Sequence, residues 1–288
     1  PDTTPTIYHY VGYLLATRKS KLRELYADSK SNGKSMFTKK LRDRILEYVN
    51  QINLDELNYE ESNNSDIKNI LLLFNVLTCE SIADGIYNRF PFDRYNEIEK
   101  ERKGSSGWSL EHIFAQKSQD PMKNPKAVKG WIHETLMAIE NIDTVTRTVQ
   151  VQDDEDVPRV EEEPISLVSM KERLREIETI PDKDIDIDEF NDIKNKINDL
   201  FGMAPMHDLS NLALLSTTDN SALNNSIFPV KRNLIIDLEK KGRFIPPCTR
   251  NAFLKFYSPA DSQPFYWGRD DQTAYFNAII EVINSFKA

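Results

Sequence analysis

Apolar residues in the first hundred positions recur at helical spacing. Ile7, Tyr10, Val11, Leu14 and Leu15, followed by Leu22 and Leu25, predict a helix over residues 7–26. Phe37, Leu41, Ile45 and Val49 predict a second over 37–49. Residues 67–90 are apolar on most sides, as a buried central helix would be. The charged stretch 94–103 ends at a Gly-Ser-Ser-Gly break closed by Gly107. The pattern then changes. Residues 108–114 (WSLEHIF) and 209–215 (LSNLALL) are short, β-compatible and bounded by polar residues. Between them helices are expected at 125–142, 169–177 and 187–201, with a Thr/Val-rich piece at 144–151. The acidic run 153–164 reads as a disordered or mobile loop. After Leu215, Thr-Thr-Asp starts a short helix carrying Asn220, with Asn224 and Asn225 behind it. Pro229 suits the first turn of a helix ending at Gly242, and residues 270–286 form a last amphipathic one. The expected fold is mainly α (α+β). A helical region spans residues 1–104, and a second region, 105–288, holds a small ββα unit interrupted by an acidic insertion at about 120–205.

Charge alters the picture more than composition does. The net charge of −9 at first argues against a nucleic-acid partner. Residues 140–199, however, hold nineteen Asp/Glu against eight Lys/Arg, so the remainder of the chain is close to +2. Arg18, Lys19, Lys21, Arg23, Lys30, Lys34, Lys39, Lys40, Arg42 and Arg44 form one basic cluster, and residues 231–255 are basic too, so a phosphate-binding face is permitted locally. The insertion reads as a solvated loop, or as a nucleic-acid mimic masking that face. Two cysteines among 288 residues cannot build a disulfide scaffold and fit a reducing cytoplasm. No apolar run is long enough to span a bilayer. Because the chain opens on Pro with no signal segment, it reads as a piece of a longer protein.

The chemistry-bearing residues gather on the ββα unit. Glu111 and His112 stand at the end of its first strand and Asn211 at the start of its second. Asn220 follows nine positions later, which leaves room for a strand, a tight turn and a helix start. These residue types suit phosphodiester hydrolysis. A neutral imidazole (His112) takes a proton from water near pH 7. Hard oxygen donors from Glu111 and Asn220 hold a divalent ion with waters still attached, and Asn211 fixes the loop and orients His112.

The segments E-H-I-F-A-Q (from Glu111) and S-N-L-A-L-L-S-T-T-D-N (ending at Asn220) resemble the His-Me finger, or HNH, nuclease motif. With the tail N-S-A-L-N-N-S-I-F-P-V-K-R, from Asn220 to Arg232, residues 105–288 are similar to the C-terminal nuclease half of GmrSD-type modification-dependent restriction enzymes. Ala115 stands where that family usually has Pro. The resemblance implies His112 as general base, Glu111 and Asn220 as ligands of Mg²⁺ or Mn²⁺, and Asn211 as the loop-fixing amide. Asn224, Asn225, Lys231 and Arg232 become candidates for phosphate contact or structural support. It also implies a DNA substrate, possibly modified phage DNA, and cytoplasmic anti-phage restriction. A nucleotide-dependent sensor domain would precede this chain and bind any nucleotide; homo-oligomerisation is left open. A non-catalytic DNA-binding or partner-docking module that keeps the ββα scaffold is the alternative, and RNA is not separated from DNA because the motif grips the backbone.

The remaining histidines have ordinary readings. His133 lacks the second histidine of a zincin helix, since residue 137 is Met. His9 reads as a helix-surface residue and His207 as a loop residue. Trp131 and Trp267 read as core anchors, and Cys79 as a packing residue.

Overall fold

Helix α4 (Asn64–Glu80) runs through the centre of the molecule with Ile67, Ile70 to Leu77 and Cys79 all buried. The chain is seen here as a computed structural model that describes residues 4–80, 89–100, 107–114, 121–152, 158–201, 208–223, 226–259 and 267–288. A helix apolar on every side must be surrounded. Around α4 lie α1 (Thr4–Ala16), α11 (Pro247–Phe253) and α12 (Arg269–Lys287). Helix α3 (Lys34–Val49) packs on α1 and reaches α4 through Tyr48, whose hydroxyl donates to Asp66 and accepts from Asn69, and α2 (Leu22–Ser31) packs on α3. Buried Asn75 shows how such a helix accommodates a polar group. Its Nδ2 donates to the Leu71 carbonyl and its Oδ1 accepts from the Cys248 amide, both at 2.8 Å, so it also caps the first turn of α11.

The single helix expected over 7–26 is two helices. Arg18 adopts φ 57°, its N–H bonds Leu15 O, and the Lys19 N–H bonds Leu14 O, a Schellman closure of α1. Glycine usually occupies that left-handed position, and Arg18 gave no such signal. Arg18→Gly should therefore stabilise the fold by about 1 kcal/mol, read as a rise in denaturation midpoint.

Helix α5 (Phe92–Lys100) leads to β1 (Trp108–His112). The Trp108 indole stacks on Tyr95 at 4.6 Å and donates to the Tyr95 carbonyl at 3.0 Å. Gly107 precedes the strand because the backbone of α5 passes so close: a Cβ there would meet the Ile98 carbonyl oxygen at 1.9 Å. Strand β1 pairs antiparallel with β4 (Leu212–Ser216), from Trp108 opposite Ser216 to His112 opposite Leu212. All five residues of β4 are buried, so its sequence is an unbroken apolar run and not an alternation. Helix α9 (Thr217–Leu223) follows β4 without a linker.

The intervening chain makes α6 (Pro125–Ile139), β2 (Thr144–Gln152), β3 (Pro158–Ser166), α7 (Val168–Thr179) and α8 (Ile187–Phe201). It builds a second apolar core, joined by Ile227 and Val230 at the start of α10 (Phe228–Lys240). The expectation of a loop across 153–164 is corrected here. Residues 158–166 are a strand paired with β2, from Thr144 opposite Ser166 to Gln152 opposite Pro158. The Thr/Val-rich β2 supplies a β-prone template, and a two-stranded ladder is built from backbone groups that an acidic composition does not remove. Residues 153–157 lie outside the described residues. Among the described residues the chain has twelve α-helices and two two-stranded antiparallel sheets, and no helix is long and apolar enough to cross a membrane.

Candidate functional site

The pairing of β1 with β4 brings together residues about a hundred positions apart. At the β4–α9 junction Ser216 caps the helix: its Oγ accepts from the Asp219 amide at 3.0 Å and donates to Asp219 Oδ2 at 2.7 Å. Arg243 Nε donates to the other oxygen of buried Asp219 at 3.1 Å. This fixes the first turn of α9, where Asn220 sits. The Asn220 side-chain amide crosses to β1, donating to Ser109 Oγ at 2.9 Å and the Leu110 carbonyl at 3.0 Å, so only its Oδ1 is left to take a further ligand.

Asn211 acts on the chain just past His112. Its Oδ1 accepts from the Phe114 amide at 2.8 Å, its Nδ2 donates to the Phe114 carbonyl at 3.0 Å, and its own carbonyl accepts from the Ile113 amide at 2.9 Å. A primary amide has one donor edge and one acceptor edge, so Asn211 behaves as an extra rung of the ladder where β1 ends. Asn211 is fully buried, where each bond replaces one to water that the backbone has lost.

Glu111 and His112 are consecutive in a strand and therefore point to opposite faces. Glu111 shares its face with Ser109, and so with the Asn220 amide. Its carboxylate, 5% exposed, pairs with the Lys231 ammonium from α10, which is 1% exposed. Lys231 Nζ also donates to the His112 carbonyl at 2.6 Å. Burial pushes the Glu111 carboxyl above its usual range, and Lys231 works in the opposite direction. His112, 8% exposed, sets its ring edge-on to Tyr59 with centroids 4.6 Å apart. The Tyr59 loop is anchored next to the start of β4: the Leu209 amide donates to the Leu57 carbonyl at 3.2 Å, and Asn58 Nδ2 donates to Asp208 Oδ1 at 3.2 Å.

The structure thus carries Glu111, His112, Asn211 and Asn220 on one strand–strand–helix unit, but with Glu111 and His112 on opposite faces of β1. Of the two roles open to Lys231, its geometry gives an inward one, because a side chain this buried does not reach a solvent-borne phosphate. Arg232, the next residue on α10, is half-buried. Ala115, His207, Asn224 and Asn225 lie outside the described residues. Tyr59 and the Lys231–Glu111 pair are the contacts that sequence reasoning missed. Neither carries a spacing signal, although a lysine in the first turn of a helix with buried neighbours is unusual enough to notice.

The donor set does not fit a divalent ion as these side chains stand. The one carboxylate of the expected pair is already neutralised by Lys231, and among the described residues no hydrogen bond to the Asn220 oxygen is seen. Among the described residues no three His, Cys, Asp or Glu side chains group as a metal site.

The other histidines sit elsewhere. His9 is fully buried, which corrects its surface reading: its Nε2 accepts from the Phe90 amide at 3.0 Å, and its Nδ1 faces Glu80 at 3.5 Å. His133 is exposed and faces Glu178 at 3.2 Å. Trp131 and Trp267 are buried in the two cores. Burial pushes the Cys79 thiol up to about 11 and the Cys248 thiol up to about 12, so neither is an activated nucleophile. Comparison of the chain with protein-family models, with curated proteins and with solved structures finds no match.

Proposed function

We propose that this chain is a nuclease module of the HNH type that hydrolyses DNA phosphodiester bonds, with His112 as general base. The observation that carries the reading is the unit formed by β1, β4 and α9. Strands distant in sequence pair in register, run directly into a helix, and place an Asn rung beside the chain that follows the histidine. In this reading His112 takes the proton of the attacking water, a role open to a neutral imidazole nitrogen. Asn211 positions it by fixing the backbone at Phe114. Asn220 ties the helix to β1 through its side-chain amide. The expected Mg²⁺ or Mn²⁺ would supply charge neutralisation at the phosphate, and no step is assigned to it while Lys231 holds Glu111.

A second reading is favoured by one specific observation. The buried Glu111–Lys231 pair suits a ββα scaffold retained for DNA binding or partner docking, because a closed ion pair holds shape without performing chemistry. Incubating the chain with supercoiled plasmid, and with RNA of matching sequence, in Mg²⁺ or Mn²⁺ separates the two. Nicking of the plasmid supports a DNA nuclease. Binding without cleavage of either polymer supports the docking module, and cleavage of RNA alone reassigns the substrate. Anti-phage restriction and a preceding sensor domain are the biological setting we propose for the activity.

A further inference from the structure

Lys231 stands in an expensive place. It lies in the first turn of α10, where the backbone amides and the helix dipole already present positive charge, and it is almost wholly buried. A lysine there persists only with strong compensation, which the Glu111 carboxylate and the His112 carbonyl provide. The ammonium thus lies at the end of β1, on the carboxylate that a divalent ion would need if Glu111 were its ligand. The chain ahead of Lys231 fixes the approach. Pro229 sets the start of α10, and the Lys231 N–H bonds the Ile227 carbonyl at 3.1 Å, with Ile227 and Val230 sunk in the second apolar core. The lysine is therefore carried on a rigid, doubly packed helix start and not on a free loop.

We infer that the Lys231 ammonium is the resident cation of the β1–β4–α9 unit, and that a divalent ion gains Glu111 only by displacing it. Ion and ammonium compete for the same carboxylate, so the insertion core, which anchors the start of α10, is coupled to the charge state of the site. Packing that holds α10 in place keeps Glu111 neutralised; a shift of α10 away from β1 exposes the carboxylate. This deepens the nuclease reading by naming what controls the charge of its site, but it is measured without DNA, so a chain that cuts nothing leaves it standing.

The test is Mn²⁺ binding to the full chain, followed by the electron paramagnetic resonance of free Mn²⁺. Lys231→Met keeps the length of the side chain and removes its charge. It is expected to bind Mn²⁺ at least about tenfold more tightly than wild type, since a unit charge beside a carboxylate at an effective dielectric near 20 is worth more than one decade of affinity. The gain should vanish in Glu111→Gln/Lys231→Met. A Lys231→Met variant no tighter than wild type overturns the inference, as does tight wild-type binding abolished by Glu111→Gln alone. Should Lys231→Met fail to fold, the side-chain ¹⁵N resonance of Lys231 in the wild type decides. Persistence of its hydrogen-bonded signal through a Mg²⁺ titration supports a resident ammonium, whereas loss of the signal at the first additions, without a shift of α10, overturns it.

Discussion

Lys231→Ala should lower the unfolding free energy by about 3–5 kcal/mol, and Glu111→Ala by a similar amount. Each removes one half of a buried ion pair and leaves the other half charged, enclosed and unmatched. The lysine case carries a second loss, since the His112 carbonyl also gives up its donor at 2.6 Å. The asymmetry is what makes the effect large. The pair itself contributes little beyond an apolar pair of the same shape, because both ions gave up water to form it, but a solitary buried ion has nothing to offset that cost. Glu111→Leu/Lys231→Met should accordingly lie far closer to wild type than either single change. Chemical denaturation of the four proteins checks this as a double-mutant cycle. Single substitutions costing less than about 1 kcal/mol would mean that the pair is open to solvent.

Asn211→Ala should cost about 2–4 kcal/mol and loosen the chain that follows His112. The substitution strands the Phe114 amide and carbonyl, which bond Asn211 at 2.8 and 3.0 Å in a fully buried setting, and each orphaned backbone group costs about 1–3 kcal/mol. Asn211→Asp tests the donor edge by itself. It keeps an acceptor for the Phe114 amide but turns a carboxylate oxygen toward the Phe114 carbonyl, so it should be no better than alanine. Amide hydrogen exchange at Ile113 and Phe114 reads the local effect. Unchanged protection with Asn211→Ala would show that the rung is dispensable.

Much of the architecture could be read from apolar spacing. Helices α3, α6 and α8 were expected close to where they form, because each has a buried stripe, whereas the central helix expected over 67–90 is described as α4 from Asn64 to Glu80, with residues 89–90 not helical. Left-handed helix ends were read only where glycine marked them. Gly242, at φ 76°, closes α10 with the same pair of backbone bonds that Arg18 makes after α1 and Lys255, at φ 63°, makes after α11. The glycine announced its turn and the two charged residues did not. Helix α11 was not expected; Pro247 occupies a first-turn position that tolerates proline. Strand β3 was hidden by its glutamates.

At the candidate site, the grouping of Glu111, His112, Asn211 and Asn220 on paired strands and a helix followed from their order and spacing. The partners of those residues did not. Tyr59 lies in a turn more than fifty positions before His112, and no periodicity links the two. Lys231 sits within a basic segment, and basic segments usually face solvent; that this one turns inward depends on the second core holding α10, which only the tertiary structure reveals.

The most direct measurement is the cleavage of plasmid DNA by His112→Ala beside wild type, both shown folded by circular dichroism. Loss of a general base should reduce the rate by about 10²–10⁴-fold while DNA binding is retained. A His112→Ala protein that cuts as fast as wild type would contradict the assignment of this histidine, and with it the nuclease reading of the unit built on β1, β4 and α9.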